Sequence, residues 1–259
     1  MPDSPATKSP RLSPTTRWSL VVAAGREVGD PEEARQALEQ LCQMYWRPVL
    51  QFIRARGYAE ADAQDLTQDF FVRFSQDAFL EKARARFPRF RSLIFSALRH
   101  LLYDRADHDG AEKRGGGLQF LSLEEWLESE SAPPGPANEA AAGATRLFDY
   151  EWAAVVVQNA LARLEDEWLA RGKPRHFAVL QPFLTTGGES PACAEPATAL
   201  GLPLGTVKAM IHRLRGRYRT LLREEVSQTL ADASDLQDEL RHLRQILASL
   251  PEIAAERAR

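Results

Sequence analysis

Residues 206–223 hold six basic side chains and no acidic one: Lys208, Arg213, Arg215, Arg217, Arg219 and Arg223. Lys208, His212, Arg215 and Arg219 recur at helical spacing and form one stripe, with Arg213 and Arg217 flanking it. Val207, Ile211, Leu214, Tyr218 and Leu221 form the opposite, apolar face. Ahead of this helix, the run from Ala194 to Lys208 has the form of a short helix, a Gly/Pro turn, and a second helix opening at Thr206. That arrangement suits a helix-turn-helix, whose second helix brings its first side chains to base edges and its later arginines to phosphates. A solvated basic face is the plain alternative, but on such faces both signs normally mix, so the pattern favours DNA.

A second cationic block joins Lys82, Arg84, Arg86, Arg89, Arg91, Arg99 and Arg105 to Phe87, Phe95, His100 and Tyr103. Cations interleaved with aromatic rings suit a surface that grips single-stranded backbone and stacks unpaired bases. Phe87 and Phe95 would serve equally well as core. Asp62, Asp65 and Asp69, with Gln68 among them, share one helix face, which reads as solvated or partner-binding rather than metal-binding because no histidine joins it. His100, Asp104, Asp107, His108 and Asp109 are ligand types without a second cluster to complete a site. No Ser/His/Asp, Cys/His or phosphate-loop pattern is present. The expectation is a binding protein, not an enzyme, with no metal or cofactor.

The whole chain of 259 residues has a net charge of -3, which by itself argues against a polyanionic partner. The distribution reverses that inference. Residues 81–114 carry nine basic and five acidic residues and 206–223 carry six and none, whereas 115–147 carry one and five and 224–259 carry four and eight. Screening limits a field to about 8–10 Å at physiological salt, so a polyanion meets the local block and not the total. Two isolated cysteines, Cys42 and Cys193, exclude a disulfide scaffold and a thiolate zinc site. No apolar run approaches the roughly 20 residues of a membrane span, and the first residues lack signal-peptide character. A cytoplasmic protein without membrane insertion is expected.

The elements that must position these residues are all helical. Residues 1–14, with four prolines among Ser and Thr, read as a disordered lead, followed by an apolar patch over 16–22. Asp30-Pro31-Glu32-Glu33 is a helix start, and apolar spacing continues through Pro48, where a kink is expected, to Gly57. Helices over 60–74 and about 89–106 follow. Gly115-Gly116-Gly117 opens an acidic linker, and helical period resumes at Phe148 and lasts to Gly172, with another helix through Phe177 and Leu184. Leu236, Leu240, Leu243, Leu247 and Leu250 form a seam of about two heptads, which suits docking on the chain's own core slightly better than pairing with a second copy or a regulator.

In this order the pieces resemble a bacterial RNA polymerase sigma factor of the extracytoplasmic-function branch. The resemblance covers most of residues 30–226. It is carried by Tyr45-Trp46-Arg47-Pro48-Val49-Leu50, by Asp62-Ala63-Gln64-Asp65-Leu66-Thr67-Gln68-Asp69-Phe70-Phe71, by Phe90–His100, by Ala199–Lys208 and by Leu214-Arg215. It implies an all-α protein with a disordered lead (1–14), a region 2-like helical domain (15–114), an acidic flexible linker (115–147), a region 4-like helix-turn-helix domain (148–226) and a leucine-seamed C-terminal helix (227–259).

The partners it implies are core polymerase and promoter DNA, and it leaves open whether an anti-sigma protein or the tail holds the factor inactive. Asp62, Asp65, Leu66, Gln68, Asp69 and Phe70 would contact the polymerase clamp. Phe87, Arg89, Arg91, Phe95, Arg99, His100 and Tyr103 would open the start-proximal promoter element. Thr206, Lys208, His212, Arg213, Arg215, Arg217 and Arg219 would read the upstream element. The chain departs from the family pattern at Leu93, His100 and Pro196, where Trp, Asn and an aliphatic residue are usual. The alternatives are a stand-alone helix-turn-helix regulator dimerising through its tail, and a metal-dependent nucleic-acid enzyme using Asp62 and Asp65 or His100 and Asp104.

Overall fold

The computed structural model describes residues 17–24, 30–74, 87–112, 139–184 and 193–249. These form α1 (Arg17–Ala24), α2 (Pro31–Ala55), α3 (Glu60–Phe74), α4 (Phe90–Glu112), α5 (Glu139–Ala170), α6 (Pro174–Leu180), α7 (Ala194–Leu200), α8 (Leu204–Ser227) and α9 (Leu236–Ala248), with 3-10 turns at Gln181–Leu184 and Ala233–Asp235. Among the described residues there are nine α-helices and no strands, only an isolated bridge between Arg89 and Leu230. The expected lead over 1–14, the glycine run 115–117, the cations Lys82, Arg84 and Arg86, and Leu250 lie outside the described residues, as does the side chain of Tyr103.

The start of α2 follows from its first residues. Asp30 accepts from the Glu32 N–H at 2.9 Å, Pro31 occupies the first turn where no N–H is needed, and Glu32 and Glu33 face the helix dipole. The helix runs through the buried Pro48 to Ala55, and Gly57, at φ 96°, turns the chain into α3. Leu41, Tyr45, Val49 and Phe52 form its inner face, against which Phe70 and Phe74 of α3 and Phe90, Leu93 and Ile94 of α4 pack.

The linker expected over 115–147 is corrected at its end: residues 139–147 are already helix. Ala140, Ala141, Ala142 and Ala144 favour helix by propensity alone. The resulting α5 has 32 residues, about 48 Å at 1.5 Å per residue, and its two halves serve different cores. Ala144, Phe148, Trp152, Ala153 and Val156 join the cluster built on α1–α4. Ala160, Leu164 and Trp168 join a second cluster with Phe177, Leu180, Val207, Ile211 and Leu214. The apolar packing therefore divides between Val156 and Ala160, inside the segment expected to open the second domain.

The chain after α8 returns to the first cluster. Phe90 N–H donates to the Thr229 carbonyl at 2.9 Å, Ala231 N–H to the Pro88 carbonyl at 2.9 Å, and Trp18 N–H to the Gln228 carbonyl at 3.1 Å. Residues 228–231 thus strap α1 to the start of α4. The leucine seam then docks on the chain's own core: Leu243 and Ile246 are buried in the first cluster, and Leu236, Leu240 and Leu247 pack against it.

Candidate nucleic-acid and protein-binding surfaces

The turn between α7 and α8 is set by Gly201. Its φ of 64° is left-handed, a conformation that favours glycine, and Leu202 N–H caps α7 by donating to the Ala197 carbonyl at 3.0 Å. Pro196 falls in the first turn of α7, where its missing N–H leaves no helical bond unmade, and its ring is buried. Val207, Met210, Ile211 and Leu214 anchor α8 in the second cluster and turn its other side outward.

Along that outer side Thr206, Lys208, His212, Arg213 and Arg219 are exposed. Gly205, Ala209 and Gly216 lie between them, and a Cβ built on either glycine would meet nothing within 4 Å. The backbone of α8 is therefore open to close approach. Arg215 and Arg217 are placed differently from the other cations. Arg215 donates through Nε to the Phe183 carbonyl at 2.8 Å. Arg217 donates through Nε to Glu167 at 3.0 Å and through Nη1 to Glu224 at 3.2 Å. Hydrogen bonds to Glu167, opposed by partial burial, raise the Arg217 pKa above the usual guanidinium range. Arg215 thus ties α8 to the turn at Gln181–Leu184, and Arg217 ties it to α5.

Beside the first turns of α8 lies a cleft of about 460 Å³ that includes Arg171, Lys173, His176, Thr206, Arg213 and Arg217 in its walls, over a floor of Trp168, Leu202, Met210 and Leu214. Sequence spacing along α8 does not reveal this feature, because Lys173 and His176 come from the joint between α5 and α6. The cleft adds cations to one flank of the exposed stripe.

The second cationic block is largely committed internally. Arg89 donates to Asp235 at 2.7 Å and lies 3.6 Å from Asp238. Arg91, 14 % exposed, donates to Glu239 at 2.7 Å and to Asp149 at 2.8 Å. Burial works against the Arg91 charge, but Glu239 and Asp149 outweigh it and raise its pKa. Phe95 sits among Phe52 and Phe148, with ring centroids 5.6 and 5.3 Å away, and His100 is buried at 8 % exposure. Phe87 packs on the first cluster while its carbonyl accepts from Trp18 Nε1 at 3.2 Å. Arg99 lies over the Phe95 ring at 5.7 Å, and partial burial and the nearby Arg56 lower its pKa. Most of this set is thus core or paired to acids.

On α3, Asp62, Asp65 and Gln68 are exposed and Asp69 pairs with Arg73 at 2.9 Å. Leu66 and Phe70 point inward and belong to the core, so they do not share that surface. The face has an apolar continuation that charge counting misses: Val72, one turn beyond Gln68, is 61 % exposed, and Trp46 of α2, 40 % exposed, stacks on Phe71 at 5.6 Å. A large exposed aromatic ring beside carboxylates is characteristic of protein-binding surfaces.

Among the described residues no group of three His, Cys, Asp or Glu side chains could hold a metal ion, and no helix is long and apolar enough to cross a membrane. Cys42 and Cys193 are not joined in a disulfide, and burial, followed by the charge of Glu39, pushes the Cys42 thiol up to about 12. Compared with models of known protein families, with curated proteins and with solved structures, the chain matches none.

Proposed function

We propose that this chain is a promoter-specificity subunit of a bacterial RNA polymerase, binding core enzyme through α3 and the upstream promoter element through α8. The observation that carries the reading is the outward face of α8. Lys208, His212, Arg213 and Arg219 are exposed on a helix that follows a left-handed Gly201 turn, with small residues between them. A helix so presented fits the roughly 12 Å major groove, with Thr206, Lys208 and His212 nearest the base edges and Arg213 and Arg219 toward phosphates. Lys173 and His176 add a phosphate-binding flank from the neighbouring cleft.

The first cluster supplies a second, chemically different surface. Asp62, Asp65 and Gln68 with Val72 and Trp46 form an acidic and apolar patch that suits a basic, partly apolar protein partner. Strand opening near the start site is assigned to the block around Arg89–His100; it consists of binding energy spent on unstacking bases and requires no catalytic group.

The rival reading, a stand-alone regulator dimerising through its tail, draws less support because the leucine seam of α9 is spent on the first cluster of the same chain. The test is capture of purified core polymerase by the immobilised protein. The proposed subunit retains core enzyme, and Val72→Asp with Asp65→Lys releases it; a protein that never retains core enzyme is not such a subunit.

A further inference from the structure

The acids that hold Arg89 and Arg91 come mainly from one place, the start of α9. Asp235 receives two bonds from Arg89, from Nε at 3.1 Å and Nη2 at 2.7 Å, and Glu239 receives one from Arg91. Asp238 and the second oxygen of Glu239 lie 3.6 and 3.7 Å from Arg89. Carboxylates within five residues thus cover two arginines two positions apart, much as successive phosphates of a nucleic-acid strand would.

Some polar contacts beneath α9 are long. Glu239 is 0 % exposed, and its Oε2 stands 3.7 Å from Arg89 without a hydrogen bond, while His242 Nε2 stands 3.5 Å from Asp149. Contacts of that length add little to the docking that the apolar seam provides. The backbone offers a natural limit to release. The 228–231 strap is hydrogen-bonded to Trp18, Pro88 and Phe90, whereas Asp232, which follows it, is exposed and extended at φ -135° and ψ 145°.

We propose that α9 is a displaceable acidic plug: in the free protein Asp235, Asp238 and Glu239 occupy Arg89 and Arg91, and a single-stranded nucleic-acid backbone takes their place while the 228–231 strap stays. The inference rests on the reading of the Arg89–His100 block as a strand-binding surface. Release turns α9 about Asp232, frees Arg89 and opens the Glu239 side of Arg91, which keeps its 2.8 Å bond to Asp149 of α5 and lies 5.2 Å from the Trp152 ring centre. The exposed surface then has what an unpaired strand backbone recognises, the freed Arg89 beside the partly neutralised Arg91.

Two measurements on the full chain test this with one probe, a 20-nucleotide single strand of mixed sequence. In the first, hydrogen exchange of residues 236–248 is followed in the unaltered protein with and without saturating strand, and the plug requires faster exchange with it. In the second, the strand is titrated against the protein and against Asp235→Asn/Asp238→Asn/Glu239→Gln. With the plug closed about nine-tenths of the time, the variant binds about 10-fold more tightly, and its salt slope steepens by about 0.7 for the freed Arg89. Adding Arg89→Ala and Arg91→Ala cancels that gain. Saturation by the strand with unchanged exchange over 236–248 overturns the plug and leaves the strand-binding reading intact. Absence of binding to either form overturns that reading, and the plug with it.

Discussion

Arg217 of α8 and Glu167 of α5 meet across the second cluster, Nε to Oε1 at 3.0 Å, and Arg217 extends the pair to Glu224 one face along its own helix. Arg163 continues the network, reaching Glu224 and Glu225 at 2.6 Å each. The relationship fixes the rotation of α8 about its axis. It also separates the cations that remain for an outside partner, Lys208, Arg213, Arg219 and Arg223, from Arg217, which is paired with Glu167 and Glu224.

The pair gives a pH prediction. Hydrogen bonds from Arg217, more than its charge, hold the Glu167 carboxyl below its usual value of 4.5 while partial burial opposes them. A carboxyl whose folded pKa is depressed stabilises the fold above the unfolded value, and that stabilisation is lost as pH falls below it. Because both groups are partly solvated, Glu167→Gln should cost about 1 kcal/mol or less at pH 7. Urea unfolding at several pH values should show the difference between the two proteins shrinking as pH drops below the usual glutamate range.

The open side gives a binding prediction. Lys208→Ala, Arg213→Ala and Arg219→Ala should each lower the slope of log affinity against log salt on duplex DNA by about 0.9, without altering thermal unfolding by more than a few tenths of a kcal/mol. Arg217→Ala should do the reverse, losing stability first. Fluorescence titrations at four salt concentrations beside melting curves separate the two classes.

Gly216 stands inside α8 with open space where a Cβ would go. Gly216→Ala should therefore stabilise the protein by about 0.5–1 kcal/mol, because alanine loses less backbone freedom and nothing must move. A loss of stability on denaturation would show that the outer face of α8 is packed against part of the chain.

Chain truncation separates the strap from the helix beyond it. Ending the chain after Val226 removes Leu230, buried at the junction, with the bonds from Trp18 and Phe90, and should cost at least about 3 kcal/mol. Ending it after Asp232 keeps them and should leave a cooperatively folded protein. Circular dichroism melts of the two truncations decide the point.

Much of the helical plan is legible in the residues. Asp30-Pro31 fixes the start of α2, and apolar spacing delimits α3 at Glu60 and Phe74. The start of α5 is not legible from apolar spacing, because Ala140–Ala144 has no periodicity, and helix there depends on propensity and on Phe148 packing with Tyr45 and Phe52. The α8 stripe is likewise readable at Lys208, His212 and Arg219. The inward turn of Arg215 and Arg217 is not, since their partners stand 32 and 50 residues away. The same limit applies to Arg89 and Arg91, which meet acids 146 and 148 residues later. Local charge counts describe which residues carry charge and not which charges are already paired.

The most direct measurement is transcription in vitro from a genomic template library by core polymerase with and without this protein, with the 5′ ends of the transcripts mapped. The account predicts new, discrete start sites that share an upstream element and disappear with Val72→Asp or with Lys208→Ala/Arg219→Ala. Transcripts identical with and without the protein, together with a palindromic footprint by the protein alone, would contradict it.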